Sequence, residues 1–347
     1  MNLPAHRSPL PASPASVLGL AMSLAALQPM YPAKAPAQVP PALPVFSEEV
    51  SVQWISVPTV LTTAWPSDVA LEREHFELLV DGVPVAIDGF DELAAPFGLL
   101  FAQDLSGSME IGKKLEVGRI TLQVLEALRG DQDELAVATF AGDRVELQLP
   151  FGSSSELLRD ASDSWRGYGT TAVRNAIAAL PELVRATDRP RRAVVVVTDG
   201  IDNASSVPIA HVRSLLAGDG LPLYFIDVDT ESDERPSLEE GRDEGLSLSE
   251  LAAATGGRRL LVGSALGAQT AARTIVEDLH HQIMLSFTTD TVGVPSLRSI
   301  EVALHGETAG LIHRSRYFGP PPGHVVPATD PSSKPDNTLE SRKKEKR

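Results

Sequence analysis

The 347-residue chain contains no cysteine, which excludes disulfide bonds, iron-sulfur clusters, thiolate zinc sites and cysteine nucleophiles. Any metal must therefore bind to oxygen or imidazole ligands. Basic residues are also scarce, because 30 Lys and Arg stand against 46 Asp and Glu, and the net charge is -16. Since nucleic acids and anionic lipids are bound by clusters of Lys and Arg, neither is an expected partner.

Apolar runs long enough to span a bilayer are also lacking, so we expect no transmembrane anchor. The run SVLGLAMSLAAL at 16–27 has the length of the centre of a secretory signal, and a Pro/Ala-rich stretch follows it. We therefore expect residues 1–45 to be a leader and the protein to be exported to the periplasm or the extracellular space. A disordered Pro/Ala leader on a cytoplasmic protein is the alternative.

The rest of the chain divides into segments that differ in composition and hydrophobic pattern. Between 95 and 283, apolar runs of strand length alternate with amphipathic stretches of helix length. This alternation predicts an α/β fold, a Rossmann-like doubly wound sheet that is mostly parallel and covered by helices on both faces. The expected strands are 97–103, 134–142, 144–151, 191–200, 221–229 and 258–262, and the expected helices are 114–128, 168–184, 207–217, 247–255 and 270–283.

The segments that flank this domain are rich in β-branched and aromatic residues. In segment 46–94, Asp81-Gly82 separates two apolar runs, which predicts a hairpin. Segment 284–318 has a similar composition, and the Pro-rich, charged tail at 319–347 is expected to be disordered. Because a hairpin alone is marginal in water, we expect 46–94 and 284–318 to pair as one small accessory β module. The alternative is that 284–318 merely extends the α/β sheet.

Polar side chains stand where the predicted strands end. Asp104 closes the first strand and is followed by Ser106 and Ser108, and Asp199 closes the 191–200 strand. Thr170 and Thr171 open the 168–184 helix, which either could cap. Carboxyl ends of parallel strands meet at one crevice, so these hydroxyls and carboxylates should lie close together. Such an oxygen-rich set suits Mg²⁺, or a similar divalent cation such as Mn²⁺ or Ca²⁺.

Three motifs carry a family resemblance: Asp104-Leu105-Ser106-Gly107-Ser108-Met109, GTTAVRNAI at 169–177 and VVVVTDG at 194–200. Together they resemble the metal-ion-dependent adhesion site of von Willebrand factor A domains. The flanking sequences HFELLVDGVPVAIDGF at 75–90, LAAATGGRRL at 251–260 and RSRYFGP at 314–320 are similar to a bacterial branch of these proteins, which are usually exported.

The resemblance implies a role for each residue of the site. Ser106 and Ser108 would coordinate the metal directly, Thr171 would be the third hydroxyl, and Asp104 and Asp199 would hold the waters of the metal. The family commonly has Gly-Gly-Thr where this chain has Gly169-Thr170-Thr171, so Thr170 competes with Thr171 for this role.

The implied function is binding without catalysis. Neutral hydroxyls leave a divalent ion electron-poor, so an Asp or Glu of a partner protein could complete its coordination, as in adhesion. A cytosolic von Willebrand factor A protein that assembles an ATPase or chelatase complex would use the same site. A magnesium-dependent phosphatase with Asp104 as nucleophile is disfavoured because Ser106 replaces its usual second acid. A serine hydrolase would need a Gly-x-Ser-x-Gly motif, which LSGSM lacks.

Two further features of the sequence each allow two interpretations. His280 and His281 share a helix end with Asp278, and this pattern favours a helix cap or a solvated pair over a metal site. The acidic segment at 230–245 follows a strand that should end at the metal edge, so either it overhangs the site or it is only a solvated loop.

Overall fold

The computed structural model describes residues 52–63, 70–92, 95–228, 247–290, 293–304 and 310–323. The predicted leader, the acidic segment at 230–245 and the tail beyond residue 323 lie outside the described residues. The strands are β1 (Val52–Leu61), β2 (Phe76–Val80), β3 (Val83–Val85), β4 (Gly89–Asp91), β5 (Phe97–Asp104), β6 (Glu134–Ala141), β7 (Arg144–Leu149), β8 (Arg191–Thr198), β9 (Leu223–Val228), β10 (Arg259–Val262), β11 (Gln282–Asp290), β12 (Ser296–Leu304), β13 (Leu311–His313) and β14 (Arg316–Gly319). The α-helices are α1 (Lys114–Leu128), α2 (Ser155–Asp163), α3 (Val173–Val184), α4 (Ile209–Asp219), α5 (Leu248–Thr255) and α6 (Ala265–His280), and short 3-10 turns span Arg73–His75 and Gly107–Lys113.

The α/β domain is built on a six-stranded sheet of order β10-β9-β8-β5-β6-β7. All neighbours in this sheet are parallel except β6 and β7, which form an antiparallel pair. Every residue of β5 and β9 is buried. One face packs against α1, α2 and α6, and the other packs against α3, α4 and α5. The predicted Rossmann-like, doubly wound and mostly parallel fold is confirmed.

Local sequence signals explain most of the helix boundaries, and they also explain where the predicted boundaries differ from the observed ones. Helix α1 has the predicted bounds, whereas α6 begins five residues earlier than predicted because the Ser264 side chain accepts a hydrogen bond from the backbone N–H of Gly267. The prediction that Thr170 or Thr171 caps α3 is wrong, since the N-cap is Ala172 and makes no side-chain cap bond. Helix α2 was missed because only Leu158 and Ser162 are buried on it, too few for a visible apolar stripe.

The accessory strands that precede the α/β domain in the sequence pair with those that follow it, as predicted. Strand β1 lies antiparallel to β11, and β12 lies antiparallel to β2. They form two four-stranded sheets, ordered β13-β1-β11-β4 and β14-β12-β2-β3, which share one hydrophobic cluster that includes Val57, Phe287 and Tyr317. The predicted hairpin turn is present, because Asp81 and Gly82 both adopt positive φ between β2 and β3.

The segment 310–318, at the end of the predicted C-terminal β segment, forms two short strands, β13 and β14, in different sheets. Arg314 lies between them and is 2% exposed. Its guanidinium donates to the backbone oxygen of Ser56 at 2.7 Å and to that of Ala217 at the end of α4. A Cβ on Gly220, which has a φ of +66°, would lie 2.2 Å from Arg314 Nη1, so this close approach requires glycine. Arg314 thus joins the accessory strands to the α/β domain.

No helix among the described residues is both long and apolar enough to cross a membrane.

Candidate metal centre

Asp104 stands at the carboxyl end of the central strand β5, and its carboxylate is fully buried. Oδ1 accepts a hydrogen bond from the backbone N–H of Ser106 at 2.8 Å. Oδ2 accepts one from the Thr198 hydroxyl, at the end of neighbouring β8, at 2.7 Å. Both oxygens are therefore held, and the side chain is fixed under the loop that follows β5.

Burial raises the pKa of Asp104 to about 7. The hydrogen bonds from Ser106 and Thr198 act in the opposite direction, and the negative charge of Asp199 raises the pKa further. The two carboxylates therefore lie close enough for the charge of Asp199 to act on Asp104. Two buried carboxylates at one sheet edge are stabilised in their charged forms when a cation shares the site.

The two serine hydroxyls lie close to one another on the loop that follows Asp104. Ser106 Oγ and Ser108 Oγ are 3.2 Å apart. Ser106 is 1% exposed and Ser108 is half-buried, so the pair reaches from the interior toward the surface. Ser106 is the N-cap of the turn Gly107–Lys113, and Ser108 is the second residue of that turn.

The loop before α3 is tied to this turn by backbone hydrogen bonds. Gly107 N–H donates to the oxygen of Gly169 at 3.1 Å, and Tyr168 N–H donates to the oxygen of Leu105 at 2.7 Å. Thr171 is 2% exposed, whereas Thr170 is exposed to solvent. The burial of Thr171 at the loop junction favours it over Thr170 as the third hydroxyl.

The loop after β8 closes the arrangement. Asp199 is fully buried, and its Oδ1 accepts from the backbone N–H of Ile201 at 3.2 Å. Asn203 connects this loop to the previous one, because its side-chain oxygen accepts from Thr171 N–H at 2.9 Å and its own N–H donates to the Thr171 oxygen at 3.0 Å. The structure thus brings the three predicted segments together.

Lys114 is a residue of this centre that the sequence analysis missed. Its ammonium group lies 3.2 Å from Asp199 Oδ2, and the side chain is 1% exposed. The signal was present, since Lys114 precedes Val117, Thr121 and Leu125 by three, seven and eleven residues on the buried stripe of α1. Thr198 and Asn203 were also missed, because hydroxyl and amide groups beside an acidic motif look like ordinary loop residues.

The residues present fit a hard divalent cation. The donors are hydroxyl and carboxylate oxygens, which Mg²⁺ and Mn²⁺ prefer. Within the described part of the chain, no group of three or more His, Asp or Glu side chains is placed to hold a metal.

The histidines at the end of α6 have other partners. His280 Nε2 lies 3.4 Å from Asp133 Oδ2, and His281 Nδ1 lies 2.8 Å from the backbone oxygen of Glu277. Asp278 accepts two hydrogen bonds from the Arg258 guanidinium, each at 2.6 Å. These contacts match the expected structural role of a helix end.

Comparisons with known proteins show what this chain is similar to. Residues 99–201 match the family model of the von Willebrand factor type A domain. A solved von Willebrand factor type A protein from Catenulispora acidiphila is 10% identical, covers 80% of this chain and 74% of its own, and has a TM-score of 0.45. An aerotolerance-related membrane protein from Bacteroides fragilis is 20% identical, with coverage of 52% and 98% and a TM-score of 0.39.

The pilus adhesin SpaC from Lactobacillus rhamnosus GG is 8% identical, covers 74% of this chain and 50% of its own, and has a TM-score of 0.44. No curated protein sequence matches the chain. The family match spans the strand that ends at Asp104 and the strand that precedes Asp199, together with the loops between them. Residues 99–201 of this chain are therefore similar to a von Willebrand factor type A domain.

Proposed function

We propose that this protein is a non-enzymatic, divalent-metal-dependent module that binds another protein. The observation that carries the proposal is the clustering of oxygen donors: the hydroxyls of Ser106 and Ser108 lie 3.2 Å apart, the backbone N–H of Ser106 donates to Asp104, and Asp104 and Asp199 are both fully buried. Ser106, Ser108 and Thr171 would contact the cation, and the carboxylates would balance its charge and hold its waters. Mg²⁺ is the expected ion, and Mn²⁺ or Ca²⁺ could replace it.

The partner is a protein that presents an Asp or Glu side chain. Hydroxyl ligands carry no formal charge, so the bound cation remains able to attract a carboxylate at its open position. Two exposed apolar side chains stand on the same loops: Ile111 is 58% exposed, and Tyr168 is 59% exposed. On the partner, an acidic residue would bind the cation, and an apolar neighbour would pack against the rim formed by Ile111 and Tyr168.

Catalysis by Asp104 is disfavoured by its surroundings. A carboxylate nucleophile must reach its substrate, but Asp104 is fully buried and both of its oxygens already accept hydrogen bonds, from Ser106 and Thr198. Ser106 occupies the position at which phosphatases of this kind carry their second acid. A binding role asks only that the carboxylates stay in place.

Export to the periplasm or the extracellular space belongs to the same proposal, as the setting in which such a module would meet adhesion partners. Its support is the signal-like run at 16–27, which lies outside the described residues. Recovery of the full-length chain in the cytoplasm, with its leader intact, would contradict this part of the proposal. It would favour the assembly-factor alternative.

The central experiment measures the thermal midpoint of the full chain with Mg²⁺ or Mn²⁺ and with EDTA. A cation at a hundred times its dissociation constant should stabilise the folded state by about 2.7 kcal/mol, which is roughly 5 °C or more for a domain of this size. The double variant Ser106→Ala and Ser108→Ala should lose this rise, whereas Ser153→Ala, in the turn before α2, should retain it. An equal rise in all three proteins would refute the site.

A pull-down from an extract of the source cells, with and without EDTA, then tests the binding role. Partner recovery should depend on the cation and on the two serines. Recovery that is unchanged by EDTA would show that the partner uses a different surface.

A further inference from the structure

Lys114 occupies a position in the centre that the helix dipole disfavours, and it follows two residues with left-handed backbone conformation. It is the first residue of α1, where the positive end of the helix dipole repels a cation. The two residues before it, Gly112 and Lys113, have φ values of +65° and +62°. Lys113 and Asp81 are the only non-glycine residues with positive φ in the described part of the chain.

The ion pair with Asp199 accounts for this unfavourable placement. Lys114 Nζ lies 3.2 Å from Asp199 Oδ2, and the side chains are 1% and 0% exposed. A buried charge is tolerated only beside an opposite charge or a metal, and removal of one member leaves the other uncompensated. The left-handed conformations of Gly112 and Lys113 therefore allow Lys114 to place its positive charge against Asp199 from inside the protein.

The presence of Lys114 changes the charge of the centre. With Asp104 and Asp199 ionised and Lys114 protonated, the protein groups sum to one negative charge. A divalent cation then makes the loaded centre positive by one charge, whereas the same centre without the lysine would be neutral. A centre of this kind binds its cation less tightly but attracts an anionic ligand more strongly.

We propose that Lys114 is the resident counter-charge of the metal centre: it supports Asp199 when no cation is bound, weakens cation binding, and makes the loaded centre selective for a carboxylate. This inference rests on the proposed metal-dependent function. It adds a residue that sets cation affinity and ligand preference without coordinating the metal.

The test compares the wild type with Lys114→Met, Lys114→Arg and the matched control Lys113→Met. The control removes the same charge one residue away, at an exposed position. Mn²⁺ affinity is measured by electron paramagnetic resonance on the full chain, and the thermal midpoint is measured in EDTA. Lys114→Met should bind Mn²⁺ at least about tenfold more tightly, since a like charge in the same buried centre is removed. It should also melt earlier in EDTA.

Lys114→Arg and Lys113→Met should resemble the wild type in both measurements. Acetate added to the Mn²⁺-loaded proteins should displace metal-bound water, detected by proton relaxation, at lower concentration in the wild type than in Lys114→Met. This arm tests the carboxylate preference separately from the cation affinity.

The outcomes separate the two proposals. If the wild type and Lys114→Met bind Mn²⁺ equally, the role of Lys114 is wrong while the metal centre stands. If no protein in the series binds Mn²⁺, the metal-dependent function is wrong, and the inference built on it falls as well. A Lys114→Met protein that stays unfolded at saturating Mn²⁺ would also overturn the inference, because the cation should compensate the lost charge.

Discussion

At the scale of single residues, burial separates neighbours that the sequence presents as equals. Thr170 and Thr171 are adjacent hydroxyls, but only Thr171 is buried, at 2% exposure. Asp104, Ser106, Ser108 and Asp199 could be predicted because a sheet edge gathers the ends of parallel strands. Lys114 could not be assigned from this rule, because its partner Asp199 is 85 residues away and belongs to another element.

The adjacent threonines provide a matched pair of variants. Thr171→Ala removes the buried hydroxyl and should abolish, or reduce by at least about tenfold, the affinity for Mn²⁺. Thr170→Ala should bind Mn²⁺ as the wild type does, since its side chain is exposed. Isothermal titration of both variants with Mn²⁺ checks this. Loss of binding in Thr170→Ala alone would reverse the assignment.

At the scale of elements, hydrophobic periodicity predicted the sheet and most helices because long, buried segments carry a strong signal. Strand β8 is valine-rich and almost entirely buried; it begins where predicted and ends at Thr198, two residues before the predicted end. Short pieces with few buried residues escaped prediction: α2 buries two residues, and 310–318 divides at Arg314, whose partners Ser56 and Ala217 are remote in sequence. Contacts of this kind depend on tertiary structure, which local pattern does not encode.

The approach of α1 to the central sheet depends on Gly118. A Cβ at this position would lie 1.8 Å from Gln103 Oε1, on the strand that ends at Asp104. Gly118→Ala should therefore push α1 away, destabilise the protein by about 1–3 kcal/mol and weaken Mn²⁺ binding, since the turn that contains Ser108 leads directly into the same helix. Urea unfolding and Mn²⁺ titration measure the two effects.

Gly218 is the matched control for this substitution. It lies within α4, and a Cβ there would meet nothing within 4 Å. Gly218→Ala should leave Mn²⁺ binding unchanged and stabilise the fold by up to about 1 kcal/mol, because alanine favours helix. If both glycine variants behave alike, steric contact with Gln103 is not the reason for glycine at 118.

The two exposed apolar residues on the metal loops bear on partner choice. Tyr168→Ala and Ile111→Ala should each weaken binding of the partner by roughly 1–2 kcal/mol, since apolar and aromatic anchors dominate interfaces, while Mn²⁺ affinity stays constant. Leu266→Ala is a suitable control because Leu266 is 72% exposed at the start of α6. Surface plasmon resonance with the captured partner gives the affinities. A similar loss in the control would mean that the rim has no special role.

At the scale of the whole molecule, the described residues belong to one compact unit, and strands from both ends of the chain complete it. Arg314 is the clearest link within this unit, because its guanidinium reaches the backbone of β1 and the end of α4. Burial lowers its pKa to about 10, so it still carries its charge at neutral pH and suits the negative end of the α4 dipole.

Removal of this link should affect the whole unit. Arg314→Met leaves buried backbone oxygens without their donor, which should cost about 3–5 kcal/mol of stability. Limited proteolysis should then cut first in the accessory strands, while Mn²⁺ binding persists in the remaining folded protein. Cleavage that begins in the α/β domain would show that the accessory strands do not depend on Arg314.

His313, the residue before Arg314, makes the stability of the folded protein depend on pH. Burial lowers its pKa below the usual 6.5, a backbone hydrogen bond with Arg314 and the charge of Glu301 oppose this shift, and Nε2 accepts from Val302 N–H at 3.4 Å. The folded protein therefore keeps His313 neutral at a pH where the unfolded chain is already protonated. The unfolded state binds more protons as pH falls below 6.5, so this group makes the protein less stable there.

His313→Asn should remove that contribution while retaining a short polar side chain. Other groups shift in the opposite direction, Asp278 among them, so the informative quantity is the difference between wild type and variant in the free energy of unfolding. In urea titrations between pH 7.5 and 5, the wild type should lose stability relative to His313→Asn as pH falls, and the difference should be constant above pH 7. If the free energies of unfolding of wild type and variant stay parallel across the whole pH range, His313 titrates alike in the folded and unfolded states. The proposal that folding keeps this imidazole neutral would then be wrong.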